Sequence, residues 1–429
     1  MENMLNRLEA PGFEVLDNIK MIQAIKHVLD NDIEIYSINA GTQDAIKIEF
    51  LFSAGARYQP APLVASAVNN MLIEGTAKHS SAEISEIIDY YGAFIHTESG
   101  KDFASIVLYT LEKHLNKVLP IVKEILTEAS FPQDELQTYV QNSKQNFIVE
   151  NQKVSQIARK NFMNMVFGDK NYYGHLVNLE DFNCIEDNNL LKHFYNNHYA
   201  SNRCTIIAAG KVTDKVIDQL SCVFGSGWKR SDVILSDVIN ILSPLKKQQV
   251  IEKEGAIQSA IRIGRELINK THEDYLGMQV LNTILGGYFG SRLMTNIRED
   301  KGYTYGIGSG ISSMQKAAYF YIATEVGVDV CQKAIDEIYF ELKRLREDLV
   351  SDEELNLIKN YMTGVFLKNT DGPFALSDRF KSIYEYGLGY EYYDRYLDTI
   401  KTITSQKIRD LAGKYLQQED LIELVVGKK

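Results

Sequence analysis

The chain lacks most of the local signals that announce a function. Its four cysteines, Cys184, Cys204, Cys222 and Cys331, are scattered without any Cys-x-x-Cys pair, which excludes a disulfide framework and a zinc knuckle and reads as the reduced thiols of a reducing compartment. No apolar run approaches the roughly eighteen residues that a membrane span needs. The start, MENMLNRLEAPGFEV, has no basic segment followed by an apolar one, so a cytoplasmic location is expected, or a periplasmic one if a leader has been removed. An excess of basic charge is missing too. The net charge of -11 argues against nucleic acid or an anionic membrane surface as partner. Eight histidines are present, yet none forms His-x-x-Glu-His, His-Glu-x-x-His or any pair three or four residues apart; His193 and His198, five apart, point away from each other on a helix. There is no Gly-x-Ser-x-Gly elbow. Gly306-x-Gly308-x-Gly310 is followed by no helix start, so close backbone packing is expected there, not a phosphate loop.

What is present is organised around Leu281 to Gly310, LNTILGGYFGSRLMTNIREDKGYTYGIGSG. Met278, Leu281, Ile284 and Leu285 share a helix face. Gly286 and Gly287 loosen the backbone, Ser291 and Arg292 begin a second helical turn that ends near Arg298, and Asp300-Lys301-Gly302 reads as a turn leading to a strand at Tyr303-Thr304-Tyr305. Arg298 at a helix end and Tyr305 on the next strand place a guanidinium and a phenol close together, two donors suited to a peptide carbonyl or an oxyanion. The plain alternative is a surface arginine and a half-buried strand tyrosine.

At 429 residues the chain is too long for one ordinary core, and two domains are expected. Strands are read at Ile33–Tyr36, Ala45–Phe52, Ala93–Ser99, Phe103–Tyr109 and Cys204–Ala209. Helices are read at Leu63–Ile73, Ser81–Tyr91 (capped by Ser80 and Glu83), Leu119–Ala129 with Pro120 in its first turn, from Pro132 through Phe162, and Lys215–Phe224. After Trp228 the periodicity lapses, so residues 230–255 are assigned as a linker between domains at 1–229 and 256–429. Beyond it the order repeats: strand Ala260–Gly264, helices Asp274–Leu285 and Arg292–Arg298, strands Tyr303–Ser312 and Ala317–Thr324, and a long helix Asp329–Leu345. Asp134-Glu135-Leu136 recurs as Glu353-Glu354-Leu355, and Val68-Asn69-x-x-Leu72 as Leu281-Asn282-x-x-Leu285. Two copies of about two hundred residues imply a duplication, not a solenoid. The fold class expected is α+β, two homologous domains, each an antiparallel-rich sheet with helices packed on one face.

Several landmarks in order give the chain a resemblance. FSAGARYQPAP with VNNMLIEGTAKHSSAEISEIIDYYGAFIHTESGKDF, then FGDKNYYGHLVNLEDF, NNHYASNRCTIIAAGKV and LGGYFGSRLMTNIREDKGYTYGIGSG, resemble the M16 metallopeptidase family, the insulinase, pitrilysin and mitochondrial processing peptidase group, over almost the whole chain. Active members carry His-x-x-Glu-His on the helix before Met-Leu-x-x-Gly-Thr. Here those positions are Ser66, Asn69 and Asn70. Amide oxygens are poor zinc ligands, and Asn69 is no general base. Glu150 stands as a remnant of the family's distant third ligand.

The resemblance implies that Arg298 and Tyr305 match the arginine–tyrosine pair that reaches the substrate from the second domain, with Gly286, Gly287, Ser291 and Arg292 beside them as substrate-binding positions. It further implies no cofactor on this chain, zinc on a homologous partner chain, and a peptide substrate. The expected function is therefore the non-catalytic subunit of a heterodimeric zinc endopeptidase, the alternative being a pseudo-peptidase that serves as scaffold or peptide-binding module.

Overall fold

A computed structural model describes residues 21–234 and 246–429. The first sheet contains β1 (Ile25–Val28), β2 (Glu34–Asn39), β3 (Ala45–Phe52), β4 (Phe94–Ser99), β5 (Ala104–Leu111) and β6 (Cys204–Gly210), in the order β1-β2-β6-β3-β5-β4. The second contains β7 (Gln248–Glu252), β8 (Gln258–Leu267), β9 (Ile307–Ser313), β10 (Ala318–Gly327) and β11 (Ile422–Gly427), in the order β7-β11-β8-β10-β9. Strip β1 from the first sheet and the two orders are the same. In each sheet the last strand lies parallel to the first of the shared order and antiparallel to the next (β6 on β2 and β3, β11 on β7 and β8). The duplication read from the sequence is thus also a duplication of topology.

The helices of the first half are α1 (Val64–Met71), α2 (Ser81–Tyr90), α3 (Leu115–Thr127), α4 (Gln133–Glu150), α5 (Val154–Phe167), α6 (Asn188–His198) and α7 (Asp214–Phe224). Those of the second are α8 (Tyr275–Gly286), α9 (Cys331–Glu347), α10 (Asp352–Lys368), α11 (Pro373–Tyr384), α12 (Glu391–Thr402) and α13 (Ser405–Tyr415). Each sheet buries one face under helices of its own half. Ile46, Ile48, Phe50 and Phe52 pack on Val64, Val68, Leu119 and Val122 in the first, and Ile261, Ile263, Phe320 and Ile322 pack on Leu281, Ile284, Ile338 and Leu411 in the second.

The opposite faces are covered by exchange. Ala158, Phe162 and Val166 of α5 lie on Ala260, Leu424 and Val426 of the second sheet. Leu376 and Phe380 of α11 lie on Ile38, Ile207 and Ala209 of the first. Helix α11 begins 219 residues after α5 and α10 begins 219 after α4, so the exchanged helices are themselves duplicates. Charged groups seal the seam. Lys47, almost fully buried, is 3.6 Å from Glu49 and also pairs with Asp378 of α11. Lys381 of α11 pairs with Glu49 and lies 3.3 Å from Glu98.

Several local expectations need correction. Strand β7 falls inside 230–255, the segment read as linker, because a five-residue edge strand is too short to show a period; residues 235–245 of that segment lie outside the described residues. The long run after Pro132 is two helices, α4 and α5, broken at Asn151–Lys153. Helix α1 starts at Val64 because Leu63 is left-handed, with φ 68°. Pro120 is inside α3, which begins at Leu115, so it costs a helix hydrogen bond. The Ser80–Glu83 capping box of α2 is present, with both reciprocal bonds made.

Candidate functional site

Two places correspond under the duplication, the α1–β4 corner of the first half and the α8–β9 corner of the second. In the first, Ser66, Asn69 and Asn70 lie on one stretch of α1, as the three- and four-residue spacing requires. Asn69 is fully buried. Its amide nitrogen donates to the carbonyls of Glu98 (2.8 Å) and Ser105 (3.3 Å), and its oxygen accepts from the Tyr199 hydroxyl at 2.9 Å. Asn70 donates to the Tyr139 hydroxyl at 3.2 Å and accepts from Thr97 at 2.9 Å. Ser66 donates to the Leu63 carbonyl at 2.9 Å. These side chains staple α1 to β4, β5, α4 and the end of α6.

That donor set does not fit zinc. It offers a hydroxyl and two neutral amides where imidazole or carboxylate is needed, and both amides are already spent on protein partners. Glu150 does not complete it. Tyr139 is the α4 residue that reaches Asn70, and Glu150 lies eleven residues further on, roughly 16 Å along the helix, where it is 3.6 Å from Lys160. Among the described residues no group of three or more His, Cys, Asp or Glu is placed to hold a metal.

The second corner is built differently. Helix α8 is buried nearly all round. It ends at Gly286, where a side chain would collide with the backbone nitrogen of Ser309 at 2.6 Å. Gly310 is likewise pressed on the Tyr321 ring, where an added Cβ would sit 2.7–2.9 Å away. Of the three glycines expected to serve close backbone packing, Gly306 has open space around it, Gly308 makes an ordinary 3.4 Å contact with the Gly286 carbonyl, and only Gly310 is tightly packed, against a ring and not a backbone. Beyond Gly287 and the buried Ser291, the helical turn at Arg292 opens into seven π-helical residues, Met294–Asp300, with Lys301 N–H bonded to the Asn296 carbonyl at 3.0 Å. Wide turns of this kind recur at functional sites.

Arg298 sits in the last turn of that segment. Its Nε donates to the main-chain carbonyl of Tyr305 at 3.0 Å. Its guanidinium lies over the Phe289 ring, 4.8 Å from the centroid, and Nη1 is 3.7 Å from Glu299. The sequence reading put Tyr305 on a strand; it is instead on the loop before β9, 95% exposed. The loop is fixed from below. Thr304 Oγ1 donates toward the carbonyls of Gly306 (2.9 Å) and Glu325 (2.8 Å) and accepts from Thr324 at 2.9 Å. Tyr303 is anchored by its N–H on the Ile297 carbonyl at 3.0 Å and packs against the core. A polar loop bolted down by Thr304 reads like a strand start in sequence, which is why the strand was placed too early.

So the structure brings Arg298 and Tyr305 together, with the phenol turned outward and the Nη groups free of protein hydrogen bonds among the described residues. Arg292 is elsewhere: its fork is held by Glu354 of α10 through Nε (2.8 Å) and Nη2 (2.7 Å), joining the turn before the π segment to α10. Phe289 and Thr304, which shape the pair, went unread; an aromatic three residues after Gly286 was the available signal for the first. A recess of about 420 Å³ opens beside Tyr305, with Ser155 and Ala158 of α5, Gln258, Arg262, Thr324 and Glu325 on its walls.

The fold and the two corners define a duplicated α+β scaffold whose first corner is closed by internal hydrogen bonds and whose second carries Arg298 and the exposed Tyr305. Two family models match, Insulinase (Peptidase family M16) over residues 34–179 and Peptidase M16 inactive domain over residues 187–362. The chain belongs to peptidase family M16. It is 21% identical over 409 residues to an uncharacterized zinc protease YmxG of Bacillus subtilis, covering 93% of this chain and 97% of that protein. It is 20% identical to a protein of Helicobacter pylori named a non-peptidase homolog YmxG, covering 84% and 83%. A crystal structure of a peptidase M16 inactive domain from Pseudomonas fluorescens superposes with a TM-score of 0.85 at 21% identity, covering 95% of this chain and 98% of that one. No helix of the described residues is long and apolar enough to cross a membrane.

Proposed function

We propose that this chain is the non-catalytic subunit of a heterodimeric zinc endopeptidase, lending Arg298 and Tyr305 to the hydrolytic centre of a homologous partner and carrying no zinc itself. The observation that carries the reading is the Arg298–Tyr305 pair. An arginine spends one nitrogen on positioning a loop, and that loop presents a tyrosine hydroxyl to solvent with nothing among the described residues to bind. A phenol and a guanidinium so placed offset charge that builds on a scissile carbonyl oxygen, and they gain strength when a closed chamber excludes water. The stapled α1 corner supports the other half of the reading, since it has neither ligands nor a base to offer. A relative named a non-peptidase homolog supports the non-catalytic part, and one named a mitochondrial-processing peptidase subunit beta supports only the working as a subunit.

The test is reconstitution. Alone, the chain cleaves no peptide and holds no stoichiometric zinc by elemental analysis. Mixed with a zinc-bearing homologue from the same cell, it forms a one-to-one complex by light scattering and raises turnover. A mass and a turnover both unchanged on mixing would overturn the proposal, and a complex without a gain in turnover would leave the scaffold role.

A further inference from the structure

A cavity of about 440 Å³ lies where the two halves meet, within the size range of small-ligand pockets. It shares no lining residue with the recess beside Tyr305. Its walls come from α4, α5, the loop after α5, the β4–β5 turn and the β9–β10 hairpin. Phe147, Met163, Phe182, Met314 and Tyr319 give it a mainly apolar lining. Four basic side chains, Lys101, Arg159, Lys160 and His175, line the same space, and among the described residues no Asp or Glu does.

Two of the four are already committed. Lys160 lies 3.6 Å from Glu150 and 3.1 Å from the Asn151 side-chain oxygen, with its ammonium over the Phe147 ring, 4.5 Å from the centroid. His175 is held between Asp181 (3.2 Å) and Asp169 (3.4 Å). Lys101 and Arg159 differ. Lys101 donates to the Tyr172 carbonyl at 3.4 Å and Arg159 Nε to the Gln156 side chain at 3.2 Å, and among the described residues neither has an ion pair. Asp102, beside Lys101 in the chain, is engaged instead by the Tyr173 hydroxyl (2.5 Å), the Gln315 N–H (3.0 Å) and Arg57 (3.5 Å). Burial first, and then the charge of Arg159, hold the Lys101 ammonium below its ordinary pKa. An anion arriving beside both cations offsets that cost without breaking any existing pair.

We propose that this cavity binds a carboxylate carried on an apolar body, with the carboxylate against Lys101 and Arg159 and the apolar body against Phe147, Met163, Phe182 and Met314. A guanidinium offers two parallel N–H groups to the two carboxylate oxygens, and an ammonium adds a point charge, so the two cations suit one acid group. Two sources carry this chemistry, the free C-terminus of a peptide that ends in a large apolar residue and a medium-chain fatty acid. Only the peptide source rests on the peptide-binding part of the function proposed above. Binding here needs neither a partner chain nor catalysis in trans.

Titration calorimetry on the full chain tests it with N-acetyl-leucyl-phenylalanine, the C-terminal amide of that dipeptide, octanoate and 1-octanol. At least one of the two acids binds saturably at one site with a Kd of ~1 mM or tighter. It binds about tenfold tighter than its neutral counterpart, the scale of one charge-assisted pair. The tighter acid identifies peptide terminus or fatty acid as the source. Arg159→Gln and Lys101→Gln each remove most of the preference for acid and leave the neutral ligands within about twofold. Arg159 is exposed on its helix, so Arg159→Gln decides the matter should Lys101→Gln fail to fold. Arg395→Gln, which removes an exposed cation of α12, leaves all four ligands alone. Absence of binding by both acids, equal binding of acid and neutral counterpart, or a preference that survives Arg159→Gln overturns the inference. Each of those results spares the subunit function, which is read separately by complex mass and turnover with the zinc-bearing homologue.

Discussion

The two equivalent corners show how one topology can be turned to opposite ends. At α1 the polar side chains point inward and are consumed, with Asn69 making three bonds and Asn70 two. At α8 the equivalent Asn282 is buried with its side-chain oxygen unpaired, and polarity is exported along the π segment to Arg298 and the exposed Tyr305. Even the helix starts differ. Leu63 precedes α1 in a left-handed conformation with no side-chain cap, and Gln59 supplies the missing acceptor for Ala65 N–H at 3.2 Å. Asp274 precedes α8 and is held by Lys407, Lys414 and Tyr415. A corner whose polar groups all bond to the protein stabilises it, whereas one that leaves donors unspent is free to act on something else.

The largest break in this comparison is expected at the second corner. In the reconstituted pair, Arg298→Ala and Tyr305→Phe each lower kcat by ~10²–10³, the usual cost of one transition-state donor. Circular dichroism, melting temperature and complex mass stay nearly unchanged, because Tyr305 is exposed and the half-buried Arg298 anchors only a surface loop. Arg298→Lys fails nearly as badly, since an ammonium cannot both hold the Tyr305 carbonyl and present a planar fork. Tyr303→Phe is the control, and a larger effect there than at Tyr305 would move the functional residue.

At the first corner the same kind of change should do the reverse. Asn69→Ala removes three hydrogen bonds from a fully buried group and strands the Tyr199 hydroxyl, costing about 2–4 kcal/mol by denaturant unfolding. Turnover of whatever pair still folds is untouched. Loss of turnover at unchanged stability would mean that α1 keeps a direct role.

A smaller effect is expected at Arg292, where Arg292→Met breaks a partly exposed two-point pair with Glu354 for roughly 1–2 kcal/mol. Glu354→Gln in the same chain should recover part of that loss in a double-mutant cycle. Should Arg292→Met instead weaken peptide binding with stability intact, the residue contacts substrate.

The smallest concerns pH. Burial alone would raise the Asp274 carboxyl, but hydrogen bonds from Lys414, Lys407 and Tyr415 overcome it and hold the group below its usual range. A depressed folded pKa contributes stability that is present above the unfolded value near 3.8 and lost as pH falls through it toward the folded one. Asp274→Asn should therefore flatten the acid limb of the stability curve below about pH 4, relative to an unaltered chain.

The sequence was most informative where one period ran long enough to be counted. Strand β3 coincides with its reading at Ala45–Phe52 and α2 agrees to a residue, because AIKIEFLF has no competing helical pattern and Ser80–Glu83 marks a start. The pairing of Arg298 with Tyr305 was legible as proximity across a tight turn, though not as a loop contact, since the Thr304 bonds that fix the loop come from β10, twenty residues away. Tertiary partners were the illegible part. Nothing local to Asn69 announces Tyr199, 130 residues on, nor does anything in α5 state that its apolar face belongs to a sheet not yet written.

The exchange of α5 and α11 has a consequence for synthesis. Helix α5 leaves the ribosome with Phe162 and Val166 bare, and the sheet that covers them is closed only by β11, which ends at Gly427. At the 5–20 residues per second typical of translation, some 260 residues of waiting amount to roughly 13–52 s. During that interval the first sheet also lacks its α11 cover, so the nascent first half exposes apolar surface on two elements at once. Folding of this chain is thus delayed until its final strand is made, and the two halves, though copies of one ancestor, now mature as a single unit.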